Sequence, residues 1–224
     1  MGGRGGASHS GRPAPDAMFG TDPMTPGYMR FMTQDDAIDY HEQANFNQDT
    51  WDNVLTDMER RGIYAYTGSY YSRINTDLRE GRISAAGIQD MIDGATSGLA
   101  RFHAADNVIV FRGSNLHWTA NLLGGTEEQM SNAAFLRSRI GKIVTDRGFM
   151  SSGTHTDSGW SADVDFKIYV NRGISGMYVD RISANPGEYE FLFNRDTSFR
   201  VHRITTDHQG RISGLVLEAI RSRH

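Results

Sequence analysis

The hydrophobic pattern of this chain changes period near Asp106, and that change limits the folds open to it. Before it, apolar residues recur at helical spacing: Trp51, Val54, Leu55 and Met58 fall at i, i+3, i+4 and i+7, and Arg61-Gly62 supplies a C-terminal stop. A second run starts at Thr67, read as an N-cap, and places Tyr70, Tyr71, Ile74 and Leu78 on one side, with Arg79 and Gly81 near its end. A third begins at Ser84 and carries Ile88, Met91, Ile92, Ala95 and Leu99. Beyond Asp106 the chain turns to short apolar runs bounded by Gly, Asn and Asp, at 108–111, 142–144, 165–170, 176–179, 190–193, 199–204 and 212–220, which read as strands. A short helix over about 127–139 interrupts them, with Met130, Ala134 and Phe135 inward and Leu123-Gly124-Gly125 as its entry turn. Helices followed by many strands, without regular βαβ alternation, predict an α+β domain rather than a doubly wound one.

The 224 residues suffice for one domain with a real core. Residues 1–26 are rich in Gly, Pro, Ser and Ala and read as a flexible leader, leaving 27–224 as the folded domain. The leader's single Gly-Arg-Gly lacks the interleaved aromatic residues of an RNA-stacking segment. A net charge of −4 gives no global attraction for nucleic acid or an anionic membrane. The absence of cysteine excludes disulfides and thiolate metal sites, and the eight histidines show no HExxH or other ligand spacing, so no metal is expected. No apolar stretch reaches the ~18 residues of a membrane span, and no apolar signal-peptide core stands at the N-terminus.

Three separated pieces of the β half carry polar residues that apolar strands do not need. Arg112 directly follows Val108-Ile109-Val110-Phe111, before the chain turns at Gly113-Ser114-Asn115. A guanidinium there suits a phosphate or carboxylate, because its planar fork donates bidentately and stays charged; the bland alternative is an ion pair with a nearby acid. Ser151 and Ser152 end a short strand that enters a Gly/Ser/Thr-rich loop running to Ala162, where serines can equally cap a turn. Glu188 and Glu190 flank Tyr189 at the entry to a buried strand, and strand alternation puts both carboxylates on one face, as a solvated strand edge also would. No GxGxxG follows a strand, so a dinucleotide would not lie in a Rossmann crevice, and no GxSxG elbow makes Ser151 a nucleophile.

Arg, then Ser, then Glu-x-Glu on successive strands resembles the Arg-Ser-Glu class of mono-ADP-ribosyltransferases, the clostridial-binary-toxin-like exoenzymes. The likeness runs over about residues 35–220 and includes YTGSYYSRINTDLREG at 66–81, IGKIVTDRGFMSS and GMYVDRISANPGEYEFLF. It implies that family's fold, N-terminal helices packed on two small, mainly antiparallel sheets, and NAD as substrate without a metal. By position, Arg112 would hold NAD phosphate with Gly113 beside it, Ser151 would be the first serine of the Ser-Thr-Ser motif, Glu190 the indispensable glutamate and Glu188 the first of the pair. One of Tyr66, Tyr70 and Tyr71, with the others facing the core, Asn75 and Arg79 of the helix flanking NAD, Ser152, and Trp160 as an aromatic lid complete the expected site. Gly153 replaces the third serine of the motif.

Breaking the bond between nicotinamide and ribose develops an oxocarbenium-like sugar, which a carboxylate such as Glu190 stabilises. An arginine acceptor is protonated at any ordinary pH, with pKa above about 12, so it needs a base as the new bond forms, and Glu188 fits. Within the family, Glu-x-Glu members usually modify arginine. The resemblance therefore implies an arginine-specific transferase with side NAD glycohydrolase activity. An RNA hydroxyl or phosphate as acceptor, and a catalytically silent NAD-binding module, stay open as alternatives. It also implies a toxin or effector domain delivered by a secretion system or a larger carrier polypeptide, with an immunity protein in any producer that uses it against other bacteria.

Overall fold

In the computed structural model the described residues are 27–45, 54–155 and 162–221. Helix α1 (Gln34–Asn45) precedes α2 (Asp57–Ala65), a π turn at Tyr66–Tyr70, α3 (Tyr71–Glu80) and α4 (Ala86–Ala100). Strand β1 (Val108–Ser114) leads into α5 (Leu116–Leu122), a 3-10 turn at Glu127–Ser131 and α6 (Ala133–Arg139). Strands β2 (Ile143–Asp146), β3 (Met150–Gly153), β4 (Val164–Val170), β5 (Gly176–Tyr178), β6 (Glu190–Phe193), β7 (Thr197–Thr206) and β8 (Ile212–Ile220) follow. Trp51 lies outside the described residues; of the rest of that run, Val54 and Leu55 precede the cap at Thr56 and lie outside α2, and Met58, expected inward, is exposed.

Several local expectations yield to tertiary packing. Gly62 does not stop a helix but lies inside α2, because α4 crosses there: a Cβ on Gly62 would stand 2.4 Å from the Ala95 nitrogen, and one on Gly94 2.5 Å from the Met58 carbonyl oxygen. Thr67 is not an N-cap; it sits in the π turn and its hydroxyl donates to the Ile63 and Tyr64 carbonyls, both at 3.1 Å. Helix α3 starts after Tyr70 with no side-chain cap, whereas α2 is capped by Thr56, which forms a reciprocal capping box with Glu59. Glu59 is 2% exposed and also accepts from Ser97 (2.6 Å) and Arg101 (2.8 Å), so the residue that starts α2 ties it to α4. The other end of the bundle follows expectation: Gly81 closes α3 at φ +66. The helix expected over 127–139 is two pieces parted by Asn132, which caps the second; Leu136 is buried there and Ala134 is exposed.

The strands run in the order β2-β7-β8-β4-β1-β3-β6-β5, antiparallel throughout except for the β4–β8 pair. The two small sheets are thus two blocks of one hydrogen-bonded sheet. They meet at a seam where β1 and β3 pair only at Phe111 and Gly153. Helices α2 to α4 cover the β3-β6-β5 block, packing Ile63, Tyr66, Ile74, Ile92 and Leu99 on Phe149, Met177, Tyr178 and Leu192. The larger block buries Val110, Phe166, Leu215 and Leu217 beneath α5 and α6. Gly153, opposite Phe111 on one side and Glu190 on the other, puts the ends of β1, β3 and β6 together at the seam.

Candidate active site

An open cleft of about 820 Å³ runs beside the seam, walled by Tyr71, Asn75 and Arg79 of α3, by Arg112 and Gly113 of β1, by Trp118 of α5 and by Asp146 at the end of β2. Helix α5 has no counterpart in the sequence reading, which took the residues after Arg112 as a turn. Its signal was Asn115, whose side chain accepts from the Trp118 backbone at 2.7 Å and starts the helix. The consequence is Trp118, stacked on Phe166 and carrying two guanidiniums on its ring: Arg79 at 4.8 Å and Arg112 at 4.9 Å from the centroid. Asp146 makes that crowding tenable. It is 3% exposed and accepts from Arg79 Nε and Nη2, both at 2.8 Å, and from the Gly148 backbone at 3.0 Å. Most of Arg79's fork is therefore spent on Asp146, and the arginine reaches the cleft as a held cation rather than as a free clamp.

A second network fixes the strand that carries the serines. The Phe149 backbone donates to Asn75 Oδ1 (2.9 Å), while its carbonyl accepts from Asn75 Nδ2 (3.1 Å) and from the Tyr66 hydroxyl (3.1 Å). Gly148 must be glycine, since a Cβ there would stand 2.5 Å from Asn75 Oδ1. One residue pair later, Arg112 Nη1 donates to the Ser151 carbonyl, so β1 grips β3 through the guanidinium. Of the three tyrosines only Tyr71 lines the cleft; Tyr70 is exposed at 42% and Tyr66 is buried under the floor. Burial pushes the Tyr66 hydroxyl up, the charge of Glu190 pushes it the same way, and hydrogen bonding with the Ser151 side chain opposes both. Burial likewise lowers the Arg112 pKa, with Tyr66 and Glu190 acting against it. Tyr66, Arg112, Ser151 and Glu190 therefore form one interacting group.

Glu190 is the first residue of β6 and 1% exposed; Ser151 and Ser152 are 3% and 0% exposed. None of the three lines the open cleft; they lie on β3 and β6, which pair with each other and join β1, whose Arg112 and Gly113 do line it, at Gly153. Ser152 Oγ has no hydrogen-bond partner among the described residues. Glu188 precedes the strand and is half-buried. Between the glutamates Tyr189 has φ +50, a left-handed backbone that costs a non-glycine residue roughly 1–2 kcal/mol. Strand alternation therefore does not relate the two glutamates: one begins a buried strand, and the other sits on a turn outside it. Trp160 lies outside the described residues. Among the described residues no group of three or more His, Cys, Asp or Glu is placed to hold a metal, and no helix is long and apolar enough to cross a membrane.

Residues 43–223 match the profile of the ADP-ribosyltransferase exoenzyme. The chain belongs to that family. Secreted exoenzyme S of Pseudomonas aeruginosa is 31% identical over 74% of this transferase-family chain, and the matched part is 33% of that protein. An NAD(+)–protein-arginine ADP-ribosyltransferase of Serratia proteamaculans, Tre1, is 28% identical over 84% of the chain and 40% of its own length. The chain thus spans about a third to two-fifths of these curated relatives. Among solved structures, the Clostridium limosum C3 exoenzyme superposes with TM-score 0.73 at 19% identity, covering 89% of this chain and all of that one. Exoenzyme S, solved with human 14-3-3 protein beta and carba-NAD, superposes at 0.59 with 25% identity, over 82% of this chain and 85% of that one. The α+β fold is that of these exoenzymes, and NAD is the substrate of the family's reaction.

Proposed function

We propose that this chain is the catalytic domain of a mono-ADP-ribosyltransferase toxin that moves ADP-ribose from NAD to an arginine of a target protein. The observation that carries the reading is the group at the seam: Arg112 bonded to the strand of Ser151 and interacting with Glu190, beside a cleft large enough for a dinucleotide and walled by three arginines, Arg79, Arg112 and Arg147. Arg112, with Arg79 beside it, faces the NAD diphosphate; Gly113 allows close approach, and Tyr71 offers a stacking face on the opposite wall. Asn75 and Tyr66 hold the start of β3 through Phe149; Asn75 also lines the cleft, whereas Tyr66 does not. Glu190, in the same interacting group as Ser151, stabilises positive charge at the ribose from a water-poor site, where a carboxylate acts most strongly.

The C1′–N bond to nicotinamide breaks with its electron pair going to the ring, a guanidine nitrogen of the acceptor bonds to C1′, and the proton lost from that nitrogen passes to Glu188. Glu188, half-buried at the loop before β6, meets the acceptor, whereas Glu190 stays below with the ribose. The Serratia relative, named for arginine transfer, supports that acceptor. Delivery from a secreted or larger protein agrees with the secreted Pseudomonas relative, and a producer attacking other bacteria would need a protein that blocks this cleft.

Incubation with labelled NAD and a cell lysate, beside Glu190→Ala and Glu188→Gln, tests the reading. Glu190→Ala is expected to lose both NAD hydrolysis and transfer, and Glu188→Gln to keep hydrolysis while losing transfer by about 10²–10⁴. Label that survives protease but not nuclease would replace the arginine acceptor with RNA. No NAD turnover above Glu190→Ala would make the domain a silent binding module.

A further inference from the structure

The loop from Asp180 to Glu190 is held at both of its shoulders. On one side it is fastened to the π turn: the Ala184 backbone donates to Thr67 Oγ1 (2.9 Å) and Asn185 Nδ2 to the Thr67 carbonyl (2.7 Å). On the other, one carboxylate oxygen of Asp180 accepts from the backbones of Gly187 (2.9 Å) and Tyr189 (3.0 Å). The Tyr189 carbonyl in turn accepts from the Thr154 backbone (3.2 Å) and hydroxyl (3.0 Å). Both peptide groups of the left-handed Tyr189 are therefore pinned, one by a charged acceptor and one by a doubled donor, and this backbone persists because its surroundings overdetermine it. Without Asp180, Tyr189 would relax toward an extended conformation and re-aim the residue before it. Glu190 would keep its place, being held by the β3 pairing opposite Gly153 and by the Val179 backbone, which donates to its carbonyl at 2.9 Å.

We propose that Asp180 is a positioning residue for the transfer half of the reaction: its carboxylate fixes the left-handed turn at Tyr189 and thereby aims Glu188 at the acceptor, without touching NAD. The inference rests on the division of labour proposed for the two glutamates. It separates two properties of one site, because NAD cleavage depends on Glu190 and arginine transfer also on Glu188.

The test compares wild type, Asp180→Ala, Tyr189→Gly and the double variant for NAD hydrolysis and for transfer to agmatine, a free guanidine probe, with thermal melting of each. Asp180→Ala is expected to lose transfer by about 30- to 100-fold, the effect of a reacting group misplaced by an ångström or so, while hydrolysis stays within about threefold. Adding Tyr189→Gly restores much of the transfer, because glycine holds a positive φ without a clamp. Parallel loss of both activities tracking the melting temperature, unchanged transfer in Asp180→Ala, or failure of Tyr189→Gly to restore it would each overturn the proposal. Glu188→Gln and Glu190→Ala run alongside: if Glu188→Gln transfers normally, the assignment of the glutamates has failed and the role of Asp180 with it. If only the Asp180 arm fails, the assignment stands.

Discussion

Asp146→Asn should weaken NAD binding even though it removes a negative charge from an anion-binding cleft. Two effects oppose each other. Losing the anion makes the wall beside Arg79 and Arg112 more positive; a charge about 8 Å away across water is worth roughly 0.5 kcal/mol per partner charge, so about 1 kcal/mol in favour of a diphosphate. Against this, asparagine has one acceptor oxygen where the carboxylate has two, so Arg79 loses one of the two 2.8 Å contacts that hold it over Trp118, and the two guanidiniums on one indole lose the nearby anion. A hydrogen bond to a charged group contributes about 1.5–3 kcal/mol, so the loss of a pre-placed cation outweighs the gain by about 0.5–2 kcal/mol, or some 2- to 30-fold in affinity. Stability falls as well. Breaking a buried pair costs about 3–5 kcal/mol where the remaining charge is stranded, but the Arg79 side chain is 26% exposed and can be hydrated, which reduces the loss to about 2 kcal/mol. That corresponds to a melting temperature lower by about 4–8 °C for a chain of this size. Calorimetric titration with NAD at two salt concentrations, beside a thermal melt, measures both. Equal or tighter NAD binding with the expected melting loss would refute the reasoning and leave Asp146 a purely structural partner of Arg79.

Acid should destabilise the domain in two steps. Burial holds His41 down at about 3 against its ordinary 6.5, so the unfolded chain takes up that proton first; stability is complete above pH 6.5 and falls as pH drops toward 3, by on the order of 4 kcal/mol in total. Burial raises Glu59, but hydrogen bonds from Ser97, Thr56 and Arg101 outweigh it and hold the carboxyl at about 2, so a further loss of roughly 3 kcal/mol opens below its ordinary 4.5. Denaturant melts from pH 8 to 3 should show His41→Phe flattening the upper limb while the loss that opens below pH 4.5 stays, and an upper limb unchanged in that variant would exclude His41 as its origin. Gly62→Ala should lower stability by about 1–3 kcal/mol by overpacking the α2–α4 crossing, with NAD affinity in the surviving folded protein unaltered. Calorimetry shows whether the two properties separate as the distance between crossing and cleft requires.

The sequence spoke most clearly where chemistry and local pattern coincide. Arg112 at the end of an apolar run and Glu190 at the start of another are legible because a charge beside three or four buried apolar residues is costly without a purpose, and both lie at the seam. Gly62 and Thr67 misled for a common reason. Glycine and threonine have strong local meanings, as helix stop and as N-cap, but here each answers to a distant partner, the α4 backbone and the 183–185 loop. Helix α5 was hidden by its length of seven residues, too short for a period to register, although Asn115 marked its start.

The deepest gap between pattern and structure concerns the two glutamates. A Glu-Tyr-Glu run before Phe-Leu-Phe gives every sign of alternation, and no Gly or Asn warns of a left-handed residue at the centre. What determines Tyr189 lies elsewhere in the chain, nine residues back at Asp180 and just past the end of β3 at Thr154, and neither carries a motif of its own. This arrangement suits the proposed chemistry better than the regular strand would. Two carboxylates on one face of a buried strand would share an environment and repel each other, and one would tend to take up a proton. A turn between them leaves Glu190 in the water-poor seam, where it stabilises a cationic sugar, and leaves Glu188 half-exposed, where a base must meet an acceptor arriving from solvent. The conformational cost of one left-handed tyrosine thus separates two identical side chains into two different roles.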